Sequence, residues 1–194
     1  MLRKPLEMAG VPLYLNMINS YEDVLKSIDD FGRFAGREKE ADAKRAQIEK
    51  EYAALTQDVQ KGRGPKVLII FGSPDSFNMS TKKSFGGGLA ERLGAVNIAD
   101  KAENVKDSSY IPLSMEFVAK ENPDIVMLIT MGGSKEILEK LRANMRDNAI
   151  WHDVNAVKNN RVYQLPPSLF TVNPGTHTID AMKIMKEYMY GEDK

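Results

Sequence analysis

Two residues in one short stretch, "LSMEFVAKENPDIVMLITMGG", have side chains suited to a binding site: Glu116 and Met131. Met131 follows a continuous apolar run and opens a glycine loop, which is typical of the end of a buried strand. Ligands bind beyond the carboxyl ends of parallel strands, and a thioether sulfur is a soft axial ligand for haem iron. Met79 also falls in a predicted loop after a strand. Core packing by the adaptable thioether is the competing interpretation for both methionines.

No arrangement of the other reactive side chains indicates a catalysed reaction. His152 and His177 stand 25 residues apart without a carboxylate at metal-ligand spacing, and the chain has no cysteine. The cluster Gly86–Gly88 and the loop "FGSPDSF" lack the spacing of a Walker loop or of GxGxxG. Close packing of a helix on a sheet, or room for a bulky ligand, accounts for these glycines better. A cytosolic nucleotide- or cofactor-binding α/β enzyme is kept as the alternative function.

Glu116 lies in the first turn of a predicted helix capped by Ser114. An acidic side chain there interacts favourably with the helix dipole, by about 0.3–1 kcal/mol. Taken alone, that interaction accounts for Glu116 without any further role.

Composition sets broad limits on the function. The chain has 194 residues, a formal net charge of zero and 42% hydrophobic residues, so a sizeable core is expected. Zero net charge gives no general attraction to nucleic acid, and we expect no nucleic-acid partner. No apolar run approaches the roughly 20 residues of a membrane-spanning helix.

The elements that position Met131 alternate between strands and helices. The apolar runs "KVLIIF" (Lys66–Phe71) and "PDIVMLIT" (Pro123–Thr130) are typical of strands buried on both faces, and a third strand is predicted over Arg161–Leu165. Helices are predicted between them, one of them over Thr81–Leu93. The pattern indicates an α/β fold, a three-layer lobe with a mostly parallel central sheet.

The first third of the chain has a different character. Ser20–Lys61 is predicted to form a long helix with a narrow apolar stripe, and Gly32 and Gly36 indicate a break in it near "FGRFAGRE". "AGVPLYLNM" before it resembles a strand with no neighbour to pair with, which suggests that the chain is part of a longer protein.

The order of the motifs "KVLIIFGSP", "KKSFGGGLAERLGAVNIA", "IPLSMEFVAKENPDIVML" and "IWHDVNAVKNNRVYQLP" closely resembles the C-terminal lobe of a known family. These are the periplasmic-type binding proteins of ABC importers for iron–siderophore complexes, haem and cobalamin. The resemblance covers about Lys66 to Tyr190 and implies a division into a remnant of the N-terminal lobe (1–19), a long interlobe helix (20–62) and the C-terminal ligand-binding lobe (63–194). It also implies a non-enzymatic protein located outside the cytoplasmic membrane, whose longer form carries a signal peptide and a lipid anchor.

The resemblance assigns roles to both residues named at the outset. Glu116 stands where the family presents a glutamate that docks against arginines of the membrane permease, and Met131 stands in the loop where haem-binding members often place a histidine. The transported ligand is expected to be haem, with Met131 on the iron, or a ferric siderophore, and no intrinsic cofactor is expected. The cleft loops should be Gly72–Phe85, Thr130–Ser134 and Leu165–Pro174. The candidate ligand-binding residues are Phe77, Met79, Lys82, Lys83, Phe85, Met131 and Phe170.

Overall fold

Strands of mixed direction form the centre of the structure, a computed structural model that describes residues 3–103, 105, 107–171 and 174–191. The strands are β1 (Lys66–Gly72), β2 (Phe77–Ser80), β3 (Val96–Asn97), β4 (Tyr110–Pro112), β5 (Ile125–Thr130) and β6 (Val162–Gln164). The helices are α1 (Arg3–Met8), α2 (Tyr21–Ala35), α3 (Glu38–Thr56), α4 (Phe85–Arg92), α5 (Met115–Glu121), α6 (Lys135–Asp147), α7 (Ala149–His152), α8 (Asn155–Lys158), α9 (Pro167–Phe170) and α10 (Thr178–Tyr190).

The sheet has the strand order β4-β2-β1-β5-β6. β1, β5 and β6 run parallel, and β3 pairs in parallel with the first residues of β1. β2 and β4 are antiparallel to their neighbours. The prediction of a mostly parallel central sheet with covering helices is therefore confirmed.

Each face of the sheet carries its own hydrophobic core. Alternate residues of β1 point to opposite faces, so that Val67 and Ile69 belong to the first cluster while Leu68 and Ile70 belong to the second. The first cluster includes residues of α2, α4 and α10, and the second includes residues of α5, α6 and the fully buried Trp151. Burial on both faces is the reason why β1 and β5 are unbroken apolar runs.

Residues 20–62 contain two helices instead of the one continuous interlobe helix of the predicted division, and the helices separate within "FGRFAGRE", where the two glycines indicated a break. α2 ends at Gly36, whose φ of 64° is left-handed, and α3 begins at Glu38. A glycine in this conformation ends a helix at little cost because it has no Cβ. Tyr21 stacks on Tyr52 with ring centroids 4.5 Å apart, which pairs the start of α2 with the end of α3. The two helices therefore form an antiparallel hairpin.

Three local predictions also need correction. Residues 11–19 form no strand, because no other strand of the described chain lies beside them. The helix predicted over Thr81–Leu93 begins only at Phe85, and part of the predicted loop before it is β2. In the loop Leu165–Pro174, residues 172–173 lie outside the described part of the chain. No described helix has the length and apolarity needed to cross a membrane.

Candidate ligand-binding face at the carboxyl edge of the sheet

The loop after β5 presents Met131 at the carboxyl edge of the sheet. Met131 is 47% exposed and starts a short turn, Met131–Gly133. Gly132 and Gly133 both have left-handed φ values, 62° and 68°. A Cβ on Gly133 would lie 2.8 Å from the Cβ of Pro167, so the turn fits tightly against α9. The glycines thus fix the turn that carries Met131.

The loop after β6 forms a wall next to this turn. The Thr171 hydroxyl donates to the Thr130 carbonyl at 3.0 Å, which ties the end of α9 to the end of β5. Phe170 is only 8% exposed and packs in the first core cluster. Its ring therefore supports the face, and little of it remains for contact with a ligand.

The amino terminus of α4 approaches the same edge. Ser84 caps the helix by accepting from the Gly87 N–H at 3.0 Å. A Cβ on Gly86 would lie 3.3 Å from Cδ1 of Ile129, and one on Gly87 would lie 2.0 Å from the carbonyl oxygen of Thr81. The Gly86 contact supports close packing of the helix on the sheet, and Gly87 lets the helix lie close to the segment that precedes it. Phe85, the first residue of α4, is half-buried against the first core cluster.

The two lysines before α4 already have acidic partners. Lys83 donates to Asp107 at 2.8 Å, and this interaction raises the pKa of the lysine. The Lys82 ammonium lies 3.9 Å from Glu91 near the far end of α4, so it points along the helix and away from the carboxyl edge.

The structure separates two of the predicted ligand-binding residues from the others. Met79 lies within β2 at 2% exposure and packs in the second core cluster, so its placement in a loop was wrong and it has no surface for a ligand. Phe77 packs against the same cluster, on the opposite face of the sheet from Phe85 and Phe170. Both residues lie away from the predicted site for the same reason. β2 pairs with β1, and Phe77 and Met79, which are two residues apart in β2, therefore both point to the second face of the sheet.

Sequence reasoning missed an aromatic pair on the first face. Phe71, near the end of β1, lies against Tyr110 of β4 with centroids 5.1 Å apart and rings inclined by 43°. Tyr110 is 45% exposed, and partial burial raises the pKa of its hydroxyl. The available signal was the alternation of Tyr110 with the buried Ile111 in "SSYIPL".

Glu116 lies on the surface at the same end of the sheet. β4 runs parallel to β1, so it ends at the carboxyl edge of the sheet, and Ser114 follows it closely in the chain. Ser114 caps α5 by accepting from the Phe117 N–H at 3.3 Å. Glu116 follows in the first turn, is exposed and joins no ion pair with any described residue. Its carboxylate is free for an external partner.

The histidines have ordinary local roles. His152 shares a hydrogen bond with the Arg146 carbonyl at 2.9 Å, and His177 contacts Asp180 at 3.0 Å. Within the residues that the structure describes, no group of three or more acidic or histidine side chains could hold a metal ion.

Comparison with known sequences decides the family. The profile of the periplasmic binding proteins matches residues 9–169, which are most of the chain. The chain belongs to the periplasmic binding protein family.

Several members of this family resemble the chain over nearly all of its length. The high-affinity haem uptake system protein IsdE of Staphylococcus aureus is 30% identical over 192 residues, which cover 98% of this chain and 63% of the relative. The chain thus spans less than two thirds of the length of that relative.

Solved structures of periplasmic binding proteins superpose well. IsdE of Staphylococcus aureus complexed with haem has a TM-score of 0.81 and 27% identity, covering 97% of this chain and 72% of that chain. A substrate-binding protein of an ABC transporter from Listeria monocytogenes gives the same TM-score, identity and coverage. The haem-binding protein RhuT of Roseiflexus, at 22% identity and a TM-score of 0.79, shares the fold.

Proposed function

We propose that this chain is part of the substrate-binding component of an ABC importer and that its carboxyl-edge face is one half of a haem site. The observation that carries this proposal is the position of Met131, half-exposed on a glycine-fixed turn beyond the end of β5. The relatives support it, since one is a haem uptake protein whose structure was solved with haem.

The chemistry of Met131 suits haem better than it suits other iron complexes. A thioether sulfur donates to haem iron from an axial position, as methionine does in cytochromes. The ferric ion of a siderophore is already surrounded by hard oxygen donors and leaves no place for sulfur. On the first face of the sheet, the exposed ring of Tyr110 and the half-buried ring of Phe85 offer apolar surface for a flat macrocycle.

A ferric siderophore is the second candidate ligand. It is favoured by the aromatic rings together with Lys83, whose side chain is 48% exposed and paired with the exposed Asp107. That lysine can exchange its partner for an anionic ligand, because a surface ion pair contributes only about 0–1 kcal/mol. A nucleotide enzyme has no such support, since Gly86 and Gly87 are needed for packing.

The roles of the three segments follow from the same proposal. Residues 63–194 are the lobe that holds half of the ligand, residues 20–62 join it to a second lobe, and residues 1–19 belong to that second lobe. The protein works outside the cytoplasmic membrane, catalyses no reaction and delivers its ligand to a membrane permease. Glu116 docks there, because an exposed carboxylate forms bidentate, charge-assisted bonds with an arginine.

Haemin titration tests the ligand assignment. We expect the chain to shift the Soret band of haemin, and Met131→Ala to change the axial-ligand signature and weaken binding. Met17→Ala is the matched control, because Met17 is also an exposed methionine, at 74%, and belongs to none of the three predicted cleft loops. If Met131→Ala and Met17→Ala behave alike, Met131 is not a ligand. If the unmodified chain leaves the spectrum unchanged, a panel of ferric siderophores becomes the next probe.

Uptake assays test the docking assignment separately. Glu116→Ala should leave haemin binding intact and reduce transport by the assembled importer. A loss of haemin binding in this variant would show that Glu116 acts on the ligand rather than on the permease.

A further inference from the structure

An open groove of about 360 Å³ lies beside the start of α5, at the same end of the sheet as Met131. Its floor consists of half-buried apolar side chains resting on the second core cluster: Phe77, Leu113 and Met115. One wall is the turn Pro74–Ser76 between β1 and β2, and the other is the surface of α6 with Lys140 and Asn144. The groove lies on the opposite face of the sheet from the proposed haem site.

Both walls of the groove are held in place by hydrogen bonds. In the turn, the Ser73 N–H donates to the Ser76 carbonyl at 2.9 Å, and the Ser76 N–H donates to the Ser73 hydroxyl at 3.2 Å. On α6, the Asn144 side chain accepts from Nε1 of the fully buried Trp151 at 3.3 Å. A partner would therefore meet a preformed groove, and little ordering would oppose its binding.

Free carboxylates lie at and beside the rim of the groove. Asp75 lines it, and Glu116 directly follows the lining residue Met115. Both side chains are exposed, and neither forms an ion pair with a described residue. The one basic side chain of the groove, Lys140, is already paired with Glu136 at 3.1 Å. An apolar floor with free carboxylates at its rim is complementary to a large apolar side chain next to a cationic one.

We propose that this groove is a second docking contact for the permease and receives a large apolar side chain from one of its extracytoplasmic loops. The inference rests on the proposed function, because the arginine or lysine beside that apolar residue pairs with Glu116. Met115 directly precedes Glu116, so a partner that reaches the carboxylate also covers the edge of the groove. Apolar anchors in a preformed pocket carry much of the affinity of an interface, while the charges guide encounter.

The test measures the affinity of the chain for the permease dimer of its own importer, held in nanodiscs, by biolayer interferometry. Met115→Ala should weaken binding about tenfold, because it removes most of one side chain from the interface. Met115→Leu should restore most of the affinity, and Met17→Ala should have no effect. Lys140→Glu should strengthen binding about threefold at low ionic strength, since it adds a carboxylate to the rim. Because a misfolded protein would not bind the permease more tightly, a higher affinity of Lys140→Glu cannot be explained by misfolding.

The outcomes separate the groove from the docking role and from ligand binding. If Glu116→Ala weakens binding while Met115→Ala does not, the groove is no contact and docking by Glu116 stands. If Lys140→Glu weakens binding, the occupant is not cationic and the inference fails. If the unmodified chain does not bind the permease at all, the importer role itself is contradicted. Haemin binding should be unchanged in every groove variant, and a loss there would assign the groove to the ligand.

Discussion

Arg92, the last residue of α4, connects the α2–α3 hairpin to the rest of the lobe through side-chain contacts. Removing this side chain should lower the free energy of unfolding measurably. Its guanidinium donates to the Tyr52 hydroxyl at 3.1 Å and to the Glu22 carboxylate. It also lies over the rings of Tyr21 and Tyr52, at 5.3 and 5.8 Å from their centroids. One side chain thus contacts both helices of the hairpin.

The size of the effect follows from these contacts. The side chain of Arg92 is 26% exposed, so the pair with Glu22, itself 62% exposed, contributes no more than about 0.5 kcal/mol. The hydrogen bond to Tyr52 adds about 1 kcal/mol, and the partly buried cation–π contacts add about 1 kcal/mol. Arg92→Ala should therefore lower the free energy of unfolding by about 2–3 kcal/mol. For a chain of 194 residues, that corresponds to a drop in Tm of roughly 4–12 °C.

Urea unfolding followed by circular dichroism measures this loss, with a lower midpoint and an unchanged slope. Arg33→Ala is the control, since Arg33 is 70% exposed and its nearest contact with Asp30 is at 3.9 Å. A double-mutant cycle with Tyr52→Phe isolates the hydrogen bond and should give a coupling of about 1 kcal/mol. If Arg92→Ala costs less than about 0.5 kcal/mol, the hairpin does not depend on this joint and the reasoning is refuted.

Three further outcomes are expected. Burial raises the pKa of Tyr21 to about 12, above the value of 10.0 for a free phenol, so the contribution of Tyr21 to stability should be unchanged below pH 10 and fall as the pH rises from 10 to about 12. Tyr21→Phe should reduce the loss of stability over this range in urea midpoints, and the part that comes from Tyr110 and Tyr190, whose pKa values burial also raises, should remain. Gly133→Ala should weaken haemin binding more than Gly132→Ala. Both glycines have positive φ, but only a Cβ on Gly133 would meet a neighbouring atom, the Cβ of Pro167 at 2.8 Å. Equal effects of the two substitutions would contradict the close fit of this turn against α9. Gly87→Ala should cost about 3 kcal/mol or more in urea unfolding, since its Cβ would lie 2.0 Å from the Thr81 carbonyl oxygen; a smaller loss would mean that α4 can shift.

The predictions that held depend on local signals. β1 and β5 were predicted because a continuous apolar run of strand length, bounded by glycine or proline, is typical of a strand buried on both faces. The caps at Ser114 and Ser134 mark the starts of α5 and α6 in a similarly local way, since a hydroxyl before a helix accepts from its free N–H groups. The exposure of Glu116 was implied by the family resemblance, and the structure places the residue on the surface.

The predictions that failed concern features that only neighbours in space decide. β2 is four residues long and has no clear period, and it exists because β1 and β4 pair with its two edges. That pairing placed Met79 in the core and moved Phe77 to the other face. The break at Gly36 became a full reversal because α3 packs back on α2.

The amino-acid sequence by itself determined the fold class, the strands on either side of the site and the turn that carries Met131, because periodicity, caps and glycines act over a few residues. Only the tertiary structure decided which side chains share a face. It buried Met79 and Phe170, turned Lys82 away, added Tyr110 and formed a groove with an apolar floor that includes Met115, the residue before Glu116. The physical reason is that the face a strand residue occupies is set by pairing with segments distant in sequence, and a shift of one residue exchanges the two faces.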